Sequence, residues 1–360
     1  MYFFATILLS AAFLCAVAGG LHLTYRLFAG DGFQSSPSRN RIGFLHIPLT
    51  AFMTVASVIL LYAFVAHDFS VEYVYNYSDL TLPLFYRVTA FWAGQAGSML
   101  FWAWSVAISG LAFVMLPAYK GLGDRTKAWY WVFFFSIMAF FLLILLVWSN
   151  PFVTIPNGIP EDGRGLNPLL QNPGMIIHPP LLLLGYGGFV VPGCLALAQA
   201  MSGKLASGPG SSEESWGQAA RPFTLIAWSL LTAGIVLGAW WAYMELGWGG
   251  YWAWDPVENA SLIPWLLATA YLHTSVIENR RGKLLRTNVF LMALTTTSAF
   301  FATYLVRSGV VQSLHAFAGD SVGDPLIVFT MIMLYISLVI AVCSPSSQSD
   351  DDPGARRALY

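Results

Sequence analysis

Residues 129–148 read WYWVFFFSIMAFFLLILLVW, a run without a single charge, preceded by Asp124, Arg125 and Lys127. A segment of this length crosses a hydrocarbon core of about 30 Å as an α-helix, and a core helix of a soluble domain has no reason to be apolar on every face. Eight further runs share the character, at 3–27, 45–66, 96–117, 179–201, 223–242, 260–277, 287–306 and 326–343. Backbone groups inside a bilayer have no water to bond, so each run satisfies its own N–H and C=O groups as a helix. The expected fold is therefore all-α, a polytopic membrane protein of about nine transmembrane helices. The first run has no basic segment before it and no small-residue cleavage pattern after it, and is expected to be a retained span.

Composition agrees: 57% of the 360 residues are hydrophobic and 10% charged, which excludes an ordinary soluble domain. Cys15, Cys194 and Cys343 are too far apart for a CxxC pair, a CxxCH haem-attachment site or a zinc knuckle. There is no phosphate-cradling glycine loop, no Ser-His-Asp pattern and no basic patch, so no nucleic acid partner is expected. If the N-terminus lies outside, all of the 17 Lys and Arg except Arg87, Arg164 and Arg307 fall on the cytoplasmic side. The positive-inside rule thus predicts an outside N-terminus and a cytoplasmic C-terminus. Residues 1–343 form one membrane domain, and 344–360 read as a disordered cytoplasmic tail. The long outer segments are 68–95, 150–178, 245–259 and 307–324.

The outer segment 240–265 reads WWAYMELGWGGYWAWDPVENASLIPW. An interfacial aromatic belt accounts for one or two such rings, but not for Trp240, Trp241, Trp248, Trp252, Trp254 and Trp265 together. The spacing of Trp248, Tyr251, Trp252 and Asp255 predicts one face of a short helix, with Gly247, Gly249 and Gly250 keeping the approach open. Such an aromatic shelf suits a large planar apolar ligand, and a porphyrin, a sugar or a quinone all meet that description.

The histidines discriminate among these. His178 precedes Pro179 and Pro180, which favour a first helical turn, so it is expected at a helix N-cap as a neutral imidazole available to metal. His315, in the outer loop SLHAF, is the natural second axial ligand. His273 lies about 20 Å into the seventh span at ~1.5 Å per residue. An ionisable group at that depth is a functional candidate, with a hydrogen-bonded structural histidine as its rival; a buried neutral imidazole is also what a membrane haem b requires. Asp255 and Glu258 are spaced as an acid–base pair would be, but Pro256 between them favours Asp255 as a helix N-cap.

These residues carry a resemblance. WGGYWAWDP (248–256) resembles the WWD signature of the haem-handling membrane proteins, the superfamily containing CcmF, CcmC, NrfE and CcsA. NPF at 150–152, GLNPLLQNPGMIIHPPLLLLGYGGFVVP at 165–192, ENASLIPWLLATAYLH at 258–273 and RTNVFLMALTTTSAFFATYLVRSGVVQSLHAF at 286–317 resemble CcmF and NrfE, in order, within a likeness running over about 64–342. The resemblance implies a cytochrome c haem lyase subunit of the bacterial inner membrane, working at its periplasmic face. It implies that Trp240, Trp241, Trp248, Tyr251, Trp252, Trp254 and Asp255 form the haem-binding segment, and that His178 and His315 are axial ligands of the substrate haem b. His273 is implied as one ligand of a second, transmembrane haem b. The implied partners are apocytochrome c with its CxxCH site, a haem chaperone or delivery protein and a thiol-reducing partner. The family continues past the ninth span, so a second membrane chain is expected to supply the C-terminal half and the second ligand for the internal haem; His46 is the in-chain alternative at similar depth. Rival readings are a haem carrier or exporter without ligation activity, a glycan-handling or transporter membrane protein that stacks sugars on the tryptophans, and a purely structural subunit.

Overall fold

The computed structural model describes residues 1–29, 43–156, 158–203, 215–247, 250–313, 315–317 and 322–344. Thirteen helices follow one another along it: α1 (Tyr2–Phe28), α2 (His46–Val65), α3 (Glu72–Tyr77), α4 (Leu84–Ala90), α5 (Gln95–Met115), α6 (Pro117–Gly121), α7 (Asp124–Val147), α8 (Gly174–Gly188), α9 (Val190–Met201), α10 (Trp216–Glu245), α11 (Pro256–Arg281), α12 (Leu285–Arg307) and α13 (Gly323–Cys343). The described residues contain no strand, only an isolated bridge between Val71 and Thr154. Nine helical spans among them are long and apolar enough to cross a membrane, α8 and α9 together making one, and the chain is a multi-pass membrane protein. All nine expected runs are present. The expected tail lies, beyond Ser344, outside the described residues.

The helix ends differ from the apolar runs for a simple reason. Arg125 and Lys127 are good helix formers and the Asp124 charge suits the positive end of a helix, so α7 starts at Asp124, ahead of its uncharged stretch. Helix α8 starts at Gly174, and His178 sits as its fifth residue, not at an N-cap; Pro179 and Pro180 are inside the helix. Pro179 has no N–H to give the carbonyl of Met175, and that carbonyl instead accepts the indole N–H of Trp92 at 2.9 Å. The fifth span breaks at Phe189, just before Pro192, where the Phe189 carbonyl accepts both Gly193 N–H (3.0 Å) and the Thr296 hydroxyl (2.8 Å).

Packing is inverted relative to a soluble protein. Large apolar side chains point outward, such as Phe3 and Leu14 on α1 and Val328 and Val342 on α13, while α12 buries Thr295, Thr296, Thr297 and Thr303. Those hydroxyls bond to carbonyls one turn back or, at Thr296, across to α9's start, so they cost little in a dry interior. Helices α8 and α10 make the most extensive contact in the molecule. Their backbones approach closely because a Cβ on Gly185 would meet Leu231 at 2.9 Å and one on Gly188 would meet Ala227 at 2.8 Å. On the face carrying the tryptophan-rich segment, residues 70–80 interlock with 153–156 and 158–165: Ile155 N–H bonds Ser70 O (2.9 Å) and Arg164 N–H bonds Tyr75 O (2.7 Å). Two long loops thereby make one ordered cap over the bundle.

Candidate functional site

The ends of α8, α10 and α12 and the start of α11 converge at that face. The first turn of α8 is clamped to the last turns of α10. The Asn172 amide donates to the Glu245 carboxylate, Trp241 lies against Gly174, Leu182 fills the space left by Gly234, and the ring of His178 fills that left by Gly238. His178 Nδ1 is 2.8 Å from the Gly234 carbonyl. A carbonyl only accepts, so Nδ1 carries the proton and Nε2 keeps its lone pair. The ring meets Trp241 edge to face at 5.8 Å. A Cβ on Gly238 would lie 2.4 Å from His178 Cε1, so α10 can pass the imidazole only with glycine there.

His315 sits on the loop that follows α12, half-buried, with Nδ1 3.7 Å from Asp255 Oδ1. Asp255 is the N-cap of α11, closed by a full capping box with Glu258. The noncatalytic reading of that carboxylate pair is therefore the one the geometry favours: Glu258 Oε2 receives the backbone N–H groups of Ala253 (2.9 Å) and Asp255 (3.2 Å). His178 near the start of α8 and His315 just past the end of α12 lie on the same face of the bundle, since Trp92 just ahead of α5 bonds Met175 and Gln95 at the start of α5 bonds Arg307.

The aromatic segment differs from its expected form. Tyr251 to Asp255 is irregular, not a short helix, because Glu258 draws the backbone N–H groups of 253 and 255 to itself. Trp254 adopts a left-handed φ of 59°, held by the Asn259 side-chain amide on its carbonyl at 3.0 Å. A non-glycine residue in this region stores about 1 kcal/mol or more of strain. The result is a raised edge: Trp254 is 72% exposed and meets Trp252 edge-on at 6.2 Å, while Tyr251 stacks on Tyr243 at 4.5 Å. Trp240 is exposed and Trp241 half-buried. Trp248 lies outside the described residues. Trp265 does not join the edge; it stacks on Trp228 at 5.8 Å and donates to Thr232, locking α10 to α11.

His273 is elsewhere. It is exposed on the outward face of α11, its Nδ1 bonding only the Thr269 carbonyl one turn back at 2.8 Å. His46 is buried between α2, α5 and α7, bonded to Ala107 O (2.7 Å) and Thr50 and packed on Trp131 and Phe134. Its Nδ1 is buried without a hydrogen-bond partner. Several contributors escape a motif reading. Arg307, one of the three positive charges expected on the outer side, is buried; it donates to Gln95 O (3.0 Å) and Ser98 Oγ (2.9 Å) and lies 4.8 Å under the Phe317 ring, fastening the His315 loop. The Asn172–Glu245 and Asp255–Ser313 contacts join residues far apart in sequence. Only the glycine pair at 234 and 238, one turn apart on α10, signals in the sequence that something must pass there.

Residues 92–313 match the model of the cytochrome C assembly protein family. The cytochrome c-type biogenesis protein CcmF of Haemophilus influenzae is 44% identical over 272 residues, covering 76% of this chain and 41% of that protein. CcmF of Escherichia coli is 43% identical over 286 residues, with 79% and 43% covered. NrfE of Haemophilus influenzae is 39% identical over 310 residues, with 84% and 47% covered. The solved structure of "Cytochrome c Heme Lyase CcmF" superposes with a TM-score of 0.77 at 29% identity, covering 95% of this chain and 51% of that one. The chain spans about half the length of the curated relatives it matches.

Proposed function

Because this chain belongs to the cytochrome c assembly protein family, we propose that it binds haem b at the periplasmic face of a bacterial inner membrane and presents it for covalent attachment to the CxxCH thiols of apocytochrome c. The observation that carries this is the histidine pair: His178 is held through Nδ1 with Nε2 uncommitted, and His315, on the same face, stands beside Asp255, the residue that follows the exposed Trp254. Two imidazoles offering Nε2 suit the axial positions of haem iron, and rings at a raised edge suit the apolar face of a porphyrin. Gly238 leaves the space that the first imidazole fills.

In this reading His178 and His315 fix the plane of the haem, Trp240, Trp241, Tyr251, Trp252 and Trp254, with Trp248, bury its apolar faces, and the exposed side of the edge stays open to the apocytochrome. The substrate supplies vinyl groups; each thiol adds its sulfur and its hydrogen across one of them, a step that needs no net oxidant or reductant. The chain's own contribution is to position and to exclude water. A haem-delivery protein upstream and a thiol-reducing partner for the CxxCH site complete the sequence.

His273 fits a ligand of a second, transmembrane haem b. An imidazole facing out of the bundle at membrane depth is costly against lipid, so further membrane-spanning segments pack on that face of α11 and bring the opposing ligand. His46 is the less suited alternative, since its Nε2 is already bonded to Ala107 O and its ring is enclosed among α5 and α7.

The test is a pyridine haemochrome assay and visible spectrum on detergent-purified protein, with His178→Ala, His315→Ala and His273→Ala beside the unaltered chain. Haem lost in the first two variants supports the outer site. A b-type signal lost only in His273→Ala supports the internal one. An unaltered protein that carries no haem and takes up none refutes the reading in favour of a sugar-stacking or structural role.

A further inference from the structure

Asp255 does more than cap a helix. Its Oδ1 accepts the Val257 N–H at 2.7 Å and the more distant Glu258 N–H at 3.4 Å, and it also receives the Ser313 hydroxyl at 2.9 Å, from a residue 58 positions away. A carboxylate cannot donate, so the single Ser313 proton is committed to Asp255. The Ser313 oxygen is then an acceptor only. It takes the His315 backbone N–H at 2.9 Å and stands 3.4 Å from His315 Nδ1. An acceptor facing Nδ1, with the Asp255 charge 3.7 Å behind it, favours the tautomer with the proton on Nδ1 and the lone pair on Nε2. The same state is imposed on His178 by the Gly234 carbonyl.

We propose that Asp255 and Ser313 are positioning residues for His315: together they set its tautomer and hold its ring so that Nε2 faces the bound haem, tying the tryptophan-rich turn to the histidine loop. The inference rests on the reading of His315 as a haem ligand. An outer-shell carboxylate acting on a ligand histidine makes the imidazole a stronger electron donor as well as fixing its direction, and loss of such a partner weakens metal binding on the order of 10- to 100-fold. The relay also explains why the aspartate sits at the cap. A helix N-terminus anchors the carboxylate rigidly, and the short serine spans the remaining gap to the loop.

The purified chain is titrated with haemin by Soret absorbance, with Ser313→Ala, Asp255→Asn, His315→Ala and the two double variants carrying His315→Ala. Ser313→Ala leaves the cap untouched, and Asn is as good an N-cap as Asp, so neither change removes a helix start. Circular dichroism and gel filtration confirm that each variant folds. The expected result is haemin affinity weakened on the order of 10-fold or more in Ser313→Ala and Asp255→Asn, with no further loss beyond about two-fold when either is added to His315→Ala. The haem reduction potential of Asp255→Asn is expected to move upward, which loss of a purely structural cap would not do. If His315→Ala loses affinity while both relay variants bind as the unaltered protein does, or if their effects add to that of His315→Ala, the relay is wrong and the ligand reading survives. If His315→Ala itself binds normally, both are overturned.

Discussion

Gly238→Ala is the sharpest perturbation of the site, because a single methyl group there meets the proposed ligand and nothing else in its path can yield first. The added Cβ would lie 2.4 Å from His178 Cε1 and 2.5 Å from Nδ1. Carbon atoms rest at roughly 3.5 Å or more, so the ring must move by about 1 Å, enough to break the Nδ1 contact with Gly234. Alanine in a helix interior gains about 0.5–1 kcal/mol over glycine. Against this stand about 1 kcal/mol for the lost hydrogen bond and about 1–3 kcal/mol of overpacking. The net expectation is a destabilisation of about 1–3 kcal/mol together with a loss of haemin affinity like that of His178→Ala. Gly217→Ala is the control on the same helix, since its Cβ would meet only the Tyr271 hydroxyl at an ordinary 3.8 Å. Both variants are compared by thermal unfolding in detergent and by Soret titration with haemin. Normal haemin binding by Gly238→Ala would show that the imidazole is not held in that groove in the way described.

Three further outcomes follow from contacts elsewhere. Trp92→Phe keeps the ring but leaves the Met175 carbonyl without its donor, and should destabilise the fold by about 1–3 kcal/mol in denaturant unfolding. Arg307→Lys keeps the charge but loses the two-pronged grip on Gln95 and Ser98, so limited proteolysis should cut the 308–317 segment sooner while circular dichroism stays unchanged. Burial raises the Asp68 carboxyl, but hydrogen bonds from Ser70 and Tyr2 outweigh it and hold the group below its usual range. A depressed carboxylate contributes its stability in full above the unfolded value of about 3.9 and loses it as pH falls through the folded one. The melting temperature should therefore decline below about pH 4, and Asp68→Asn should flatten that decline.

Much of the fold was legible because membrane helices are written in bulk hydrophobicity, which depends on no partner. The nine spans are such a case; their ends were not, since charged residues such as Asp124 and Arg281 extend helices beyond the apolar stretch. The capping role of Asp255 was legible because a cap and its box lie within four residues. The short aromatic helix was misread since periodicity alone ignores Glu258, which captures the backbone N–H groups that such a helix would need. His178 was misplaced for a related reason: a proline pair marks a first turn only when nothing else supplies the missing donor, and Trp92 does so from 83 residues away. The Ser313 and Arg307 contacts are of the same kind, long-range and polar, and no local pattern announces them.

That borrowed donor has a consequence in time as well as space. A segment entering the bilayer alone would carry the Met175 carbonyl bare at the start of α8, three residues before His178. Only when the stretch just ahead of α5 has arrived is that turn complete. The position of His178 is thus a property of the assembled bundle, complete only when Trp92 has reached the start of α8 and the Gly234 carbonyl of α10 has reached the ring. A partly inserted or misassembled chain would hold the histidine on an unfinished turn, with its ring in no fixed place.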